Sequence, residues 1–411
     1  MRRSRRRVKT KSRFKLFLLA VLIMCSLVFT LYYILSGGFN AELNPNKSDN
    51  NSESESPSDS DVPVIPKEPT PSENFIDYLQ EVGTLELPVN GASGYATVSL
   101  KLREGPSIET NIISTLESGQ GFTILEEFND WWQIEVDGKI GWVMHQYCLV
   151  NLPDIIPSII YDNTNSYSSK MVSSGKEIPN ITGKMLYNTY MYNERFGEEE
   201  YVVPVLYMMA SKISLAQQAA LADGNTLIIY EAFRPYEAQQ KIVENLRVLA
   251  DTDPEVKEGI SKSPWSIGWF ISTGTSNHQS GFAIDVSLGK VISQEKKTTG
   301  SYIYKKINEY VEYSMPTEIH ELSTSSRIFN SPLSSKSNTE WRNAIPSETM
   351  NNEALLLQEY CTKAGLTPLA SEWWHFNDLD GLEVVKNNGN SGRFFIQNTY
   401  SVAPISKEKS K

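Results

Sequence analysis

The chain has 411 residues, too many for one typical domain, and its 40% hydrophobic and 10% aromatic content suffices for at least one sizeable core. Its formal charge is −11, but nine of the 38 Lys/Arg and no acid fall in the first fifteen residues, leaving 29 basic against 49 acidic residues beyond them. So acidic a remainder excludes nucleic acid as the expected partner, because phosphate backbones reward basic faces.

Cys25 lies in an apolar run, while Cys148 and Cys361 fall in what reads as separate domains, with no C-x-x-C pair. That usage argues against a disulfide framework or a cysteine metal site and for two buried apolar fillers.

Taken in order, residues 1–15 read as a basic cytoplasmic tail and residues 16–36 as a transmembrane anchor. The run from Leu16 to Leu35 carries no charge and is long enough to cross roughly 30 Å of hydrocarbon as a helix. The positive charge ahead of it places the N-terminus in the cytoplasm and the remainder outside the cell membrane. It is too long for the apolar core of a cleaved signal peptide, and no A-x-A site follows. Residues 37–80 are Ser, Asn, Asp, Glu and Pro with few aromatics, the composition of a disordered acidic tether.

Residues 88–152 change to short alternating runs, such as Tyr95-Ala96-Thr97-Val98 and Gly121-Phe122-Thr123-Ile124-Leu125, separated by turn residues. Such spacing predicts a small all-β barrel. Leu102-Arg103-Glu104-Gly105-Pro106-Ser107, Leu116-Glu117-Ser118-Gly119, Trp131-Trp132-Gln133-Ile134 and Gly138-Lys139-Ile140-Gly141-Trp142-Val143 resemble a bacterial SH3-like domain. The resemblance implies a fold and, more loosely, binding to cell-wall peptidoglycan, with Trp131, Trp132 and Trp142 as either core or ligand platform.

Residues 155–400 read as a mixed α/β region. Helices are expected over Tyr207–Leu221, from Pro235 to about Ala250, and over Glu353–Ala364; strands over Thr226–Tyr230, Phe282–Leu288 and Trp373–Asn377. The stretch from Gly289 to Met350 is polar and expected to be irregular.

Two segments carry chemistry. Ser276-Asn277-His278-Gln279-Ser280-Gly281-Phe282-Ala283-Ile284-Asp285 and Ser371-Glu372-Trp373-Trp374-His375-Phe376 supply two imidazoles, a carboxylate ligand and a spare carboxylate. A catalytic zinc ion usually keeps three His/Asp/Glu ligands and an open fourth position, so His278, Asp285 and His375 are the predicted metal ligands and Glu372 the proton carrier. Gly281 is expected to turn the chain between His278 and Asp285, and a bend or bulge near Trp374 is required if Glu372 and His375 are to face one ion.

Ser276-x-His278-x-x-Gly281-x-Ala283-x-Asp285 followed by Glu372-x-x-His375 resembles the zinc D-Ala-D-Ala metallopeptidases, both dipeptidases and D,D-carboxypeptidases. Glu231-Ala232-Phe233-Arg234-Pro235, Met315-Pro316-Thr317-Glu318 and Ala364-Gly365-Leu366 match further family segments in order. The resemblance implies an α+β metallopeptidase core with a central antiparallel sheet, a Zn2+ cofactor on His278, Asp285 and His375, Glu372 as catalytic base and Arg234 as a cation in the substrate site. Ser276 and Trp374 are further candidates for substrate contact, whereas His145 and His320 read as structural. The expected function is a membrane-anchored, extracytoplasmic D,D-carboxypeptidase trimming terminal D-Ala from peptidoglycan stem peptides. Dipeptidase, L,D-peptidase and endopeptidase specificities stay open, as does a non-catalytic wall-binding protein.

Overall fold

Phe122 and Ile124 on one strand, and Trp132, Ile134 and Val136 on the next, all point inward, and this period of two gives the first half of the molecule its core. The computed structural model describes residues 75–385, 391–396 and 398–404. Seven strands form the SH3-like region: β1 (Ser93–Ala96), β2 (Leu100–Arg103), β3 (Ile112–Leu116), β4 (Gly121–Phe128), β5 (Trp131–Val136), β6 (Lys139–Met144) and β7 (Cys148–Asn151). Trp131 and Trp132 are buried in it, and Trp142 is half-buried, edge to face with Phe128.

The second half begins with β8 (Ile160–Tyr161) and two small hairpins, β9 (Val172–Ser173) with β10 (Lys176–Glu177) and β11 (Tyr190–Asn193) with β12 (Glu198–Tyr201). Then come β13 (Pro204–Leu206), helix α1 (Tyr207–Ala222), β14 (Asn225–Glu231), α2 (Tyr236–Thr252), the short α3 (Asn277–Ser280), β15 (Ala283–Thr299), β16 (Tyr302–Glu312), α4 (Asn352–Lys363), β17 (Thr367–Leu369) and β18 (Glu372–Asn377). The sheet runs β17-β18-β15-β14-β8 with β16 paired to β15, and α1 and α4 pack over it. Every residue of β14 and β18 is buried, so these strands carry long apolar runs, interrupted by the polar groups of the site and, at the start of β14, by Asn225 and Thr226.

The expected fold class needs correction. Residues 16–36, expected to span a membrane, lie outside the described residues, and among the described residues no helix is long and apolar enough to do so. Among the described residues the architecture is α+β without a spanning helix. Nor is the barrel a separate small unit: β13, which follows the whole SH3-like segment, pairs with β7 in the register Val205↔Val150 and completes an eight-stranded sheet. Buried Asp154 fastens the same junction, accepting from Ser93 N at 2.9 Å, Asn193 Nδ2 at 2.7 Å and Ser401 Oγ at 2.5 Å. The central sheet is not wholly antiparallel, since β14 and β8 run parallel.

The tether expected through residue 80 ends earlier. Ile76 bridges to Tyr302 and Tyr78–Val82 is a helical turn capped by Asp77. The expected irregular stretch after Gly289 opens instead as a long hairpin, β15 paired with β16 from Gly289↔Glu312 to Thr299↔Tyr302, turning at Gly300 with φ 54°. The middle of β15 is largely exposed, Gln294, Glu295 and Lys296 in succession, so β15 carries no apolar alternation there, whereas on β16 Tyr302 and Tyr304 alternate inward and pack against Leu87.

Candidate metal centre

Each functional side chain sits where a regular element is broken. Asn277–Ser280 makes one helical turn that ends at Gly281, φ 80° and ψ 16°, a left-handed conformation that glycine adopts without strain, and the chain then enters β15 to deliver Asp285. Across the sheet, Asp285 pairs with His375 of β18. The register between β17 and β18 slips from Pro368↔Phe376 to Leu369↔Glu372, which is the irregularity required for Glu372 and His375 to reach one place. A second slip, between Ile229 and Glu231, ends β14 just before Arg234.

His278 Nε2, Asp285 Oδ1 and His375 Nδ1 converge: 3.2 Å between the two nitrogens, 3.3 Å from His278 to Asp285 and 3.0 Å from His375 to Asp285. The other ring nitrogens decide the tautomers. His278 Nδ1 donates to the Ala232 carbonyl at 2.7 Å, and His375 Nε2 donates to Asn377 Oδ1 at 3.0 Å, an oxygen that also receives Asn277 Nδ2 at 2.8 Å. Both converging nitrogens therefore present lone pairs, as the outer partners of metal-bound histidines arrange. Three buried lone pairs at this spacing repel one another unless a cation sits among them. The separations also fit zinc: bonds of about 2.0–2.1 Å in tetrahedral geometry put ligand atoms about 3.3–3.4 Å apart.

Asp285 Oδ2 faces away from this cluster. Arg234 Nη2 reaches it at 3.3 Å and His320 Nε2 at 3.2 Å. Burial alone would raise the Asp285 carboxyl, but His278, His320 and His375 reverse that and hold it well below the usual carboxylate range. Burial drives His278 down; for His375 burial is outweighed by Asp285, Glu372 and Asn377, and the ring is held up. Glu372 lies with Oε2 3.6 Å from His375 Nδ1, and burial pushes its carboxyl up to about 8.

Arg234 is brought to the site, though not as a free cation. Its Nε donates to Glu231 Oε2 at 2.7 Å, Nη1 to Gln239 Oε1 at 2.7 Å, and Nη2 to Glu231 as well as Asp285. Glu231 is in turn held by Asn165 Nδ2 at 2.6 Å and by the Tyr187 hydroxyl.

His320, read from the sequence as structural, stands inside the site. It is 1% exposed and has φ 64°, rare for a residue with a side chain. Neither of its ring nitrogens makes a hydrogen bond of good geometry, and with Glu231 and Asp285 it forms a second cluster of ligand-type groups. The Arg234 guanidinium already occupies that cluster as its cation. No spacing or periodicity in the sequence marks His320; its strained backbone is the signal, and that is visible only in the fold.

The site opens into a cavity of about 520 Å³ lined by Arg234, Trp269, Ser276, Glu372 and Trp374 and, from the polar stretch after β16, by Ser335 and Lys336. This volume suits a peptide end rather than a folded protein surface. Ser276 also caps the turn that carries His278, its backbone N–H donating to Gln279 Oε1 at 2.6 Å. Trp374 is a buried wall of the cavity, and Trp373 is core, its Nε1 donating to Thr317 at 2.9 Å.

Comparison with known proteins agrees with this geometry. Residues 98–149 match the bacterial SH3 domain family and residues 206–314 match the D-alanyl-D-alanine carboxypeptidase family VanY. The second match contains Arg234, His278 and Asp285 and stops short of Glu372 and His375, which the fold brings to the same place. Over 83 residues the chain is 39% identical to a Bacillus subtilis (strain 168) protein named "Putative N-acetylmuramoyl-L-alanine amidase YrvJ", covering 20% of this chain and 15% of that protein's length. The two family matches fall in the order read from the motifs, a bacterial SH3 domain ahead of a D-alanyl-D-alanine carboxypeptidase domain, and they support a peptidase that acts on peptidoglycan.

Proposed function

We propose that the chain is a zinc D,D-carboxypeptidase that removes the terminal D-alanine from peptidoglycan stem peptides outside the cytoplasm. The observation that carries this reading is the meeting of His278 Nε2, Asp285 Oδ1 and His375 Nδ1 within 3.3 Å, with Glu372 beside them at the floor of a peptide-sized cavity.

A zinc ion held by these three groups supplies a Lewis acid for the scissile carbonyl and lowers the pKa of water from 15.7 to about 7. Glu372 takes the proton of the attacking water and passes it to the nitrogen of the departing D-alanine, so that amide and water become carboxylate and amine. A module that only binds has no use for that carboxylate. Arg234 acts through Asp285: by donating to Oδ2 it leaves Oδ1 for the ion and keeps the carboxylate from turning, with the His320 ring packed against the same oxygen at 3.2 Å. Asn377 and the Ala232 carbonyl do the same for the two imidazoles.

The test is release of D-alanine by the zinc-loaded full chain from a pentapeptide ending in D-Ala-D-Ala. Loss on chelation and return with added zinc are expected. Release of an intact D-Ala-D-Ala dipeptide, or cleavage only of free dipeptide, would replace the carboxypeptidase reading by the dipeptidase one.

A further inference from the structure

The segment that follows the catalytic strands returns to the SH3-like region and closes a second cavity there, lined by none of the metal-site residues. It holds about 570 Å³, inside the roughly 300–1,000 Å³ range of small-molecule sites. One wall is the turn between β3 and β4, with Thr115, Glu117 and Ser118; the other is Phe395, Asn398 and Tyr400. The match to the bacterial SH3 domain family contains the first wall, and neither family match reaches the second.

The second wall is fixed in place. Thr123 Oγ1 donates to the Tyr400 carbonyl at 2.6 Å, Tyr400 N to Ser93 Oγ at 2.6 Å and Val402 N to the Gly91 carbonyl at 2.7 Å. Buried Tyr95, also in the lining, donates its hydroxyl to the Asn398 carbonyl at 2.8 Å. Gly121 has no side chain, and a Cβ there would overlap the Tyr400 ring. The cavity is therefore formed before any ligand arrives, which spares the ordering cost of binding.

Its chemistry narrows the occupant. No Lys or Arg lines it and Glu117 is its one carboxylate, so a peptide carboxylate or an anionic polymer finds no counter-charge. Phe395 and Tyr400 stay 45% and 39% exposed, and the Asn398 amide and Ser118 hydroxyl stand exposed in the same cavity. Rings for the apolar face of a pyranose, with neutral amide and hydroxyl groups for its substituents, make up a sugar site.

We propose that this cavity binds the glycan strand of peptidoglycan through its N-acetylated sugars, whose hydroxyls and acetamides carry no charge. The choice of polymer rests on the proposed function; the sugar chemistry rests on the cavity alone. Phe394, buried in the lining, stacks on Phe233 with ring centroids 4.8 Å apart, and Phe233 lies between Arg234 and Ala232, whose carbonyl holds His278. A strand gripped here is held on the body that carries the metal ligands, which keeps its stem peptides at high local concentration.

The probe is a β-1,4-linked N-acetylglucosamine tetramer titrated calorimetrically against the full chain, with a glucose tetramer of the same linkage and a free stem pentapeptide as comparisons. The acetylated tetramer is expected to bind about 10-fold tighter than the glucose tetramer. Tyr400→Ala should weaken it by about 10-fold, and Ser118→Arg, exposed on the opposite wall, should block it without touching the C-terminal segment. Neither variant should alter D-alanine release from soluble pentapeptide, whereas release from insoluble peptidoglycan should fall. The titration needs no turnover, so a chain that binds the tetramer and releases no D-alanine fails the proposed function and keeps this site. No binding of the acetylated tetramer, equal binding of the glucose tetramer, binding that survives both substitutions, or pentapeptide binding lost on Ser118→Arg overturns the glycan assignment.

Discussion

Leu149, on a strand of the SH3-like region, stands directly behind Gly281, the residue that turns the chain between His278 and Asp285. A Cβ on Gly281 would meet Leu149 Cδ2 at 2.6 Å, and Leu206 N already donates to the Gly281 carbonyl at 2.9 Å. The β7–β13 pair is thus the back wall of the metal site, which gives the SH3-like region a structural role beyond any partner it binds.

Gly281→Ala should therefore damage stability and metal binding together. The left-handed conformation costs about 1–2 kcal/mol for a residue with a Cβ, and the contact with Leu149 adds about 1–3 kcal/mol of overpacking. Denaturant unfolding and zinc stoichiometry check this, and the double variant with Leu149→Ala should recover part of the loss. Strict additivity of the two substitutions would deny the contact its role.

His320→Phe should leave the fold intact and weaken zinc binding by about 10- to 100-fold, the usual consequence of losing a group that orients a ligand. Competition with a chromogenic chelator measures this directly. Unchanged affinity would mean that Arg234 alone holds Asp285.

Glu86 gives a pH dependence of the opposite sign to that of most carboxylates. It is buried against Ser158, whose N–H donates to it at 3.0 Å, and burial raises its carboxyl from 4.5 to about 7. The folded state thus keeps a proton that the unfolded state gives up above 4.5. Its contribution is present below that value and lost as pH rises through about 7. The shift corresponds to at most about 3 kcal/mol. Urea midpoints from pH 4.5 to 8 should fall more steeply for the wild type than for Glu86→Gln; parallel curves would contradict the assignment.

The parts of the site legible in the sequence are those whose chemistry dictates residue type. Two histidines and an aspartate converge as a group that could hold a metal ion, and Gly281 makes the expected turn, although how closely Leu149 and Leu206 press on it shows only in the fold. The bulge near Trp374 could be required but not placed, since it arises from pairing with Pro368 and Leu369 on another strand. Arg234 binds Glu231 and Gln239, close to it in sequence, but its hold on Asp285 and the anchoring of Glu231 by Asn165 and Tyr187 come from distant segments and were hidden for the same reason. Strands of the SH3-like region were visible in their alternation, whereas the eighth strand of its sheet is three residues long and lies more than fifty residues downstream of the strand it pairs with.

The most direct test of these assignments is Glu372→Gln in the full chain, assayed for bound zinc and for D-alanine release from the same preparation. One zinc per chain with turnover reduced by about 100-fold or more is the expected result. Retained turnover, or loss of zinc along with it, would contradict the separation of roles between the three ligands and the glutamate beside them.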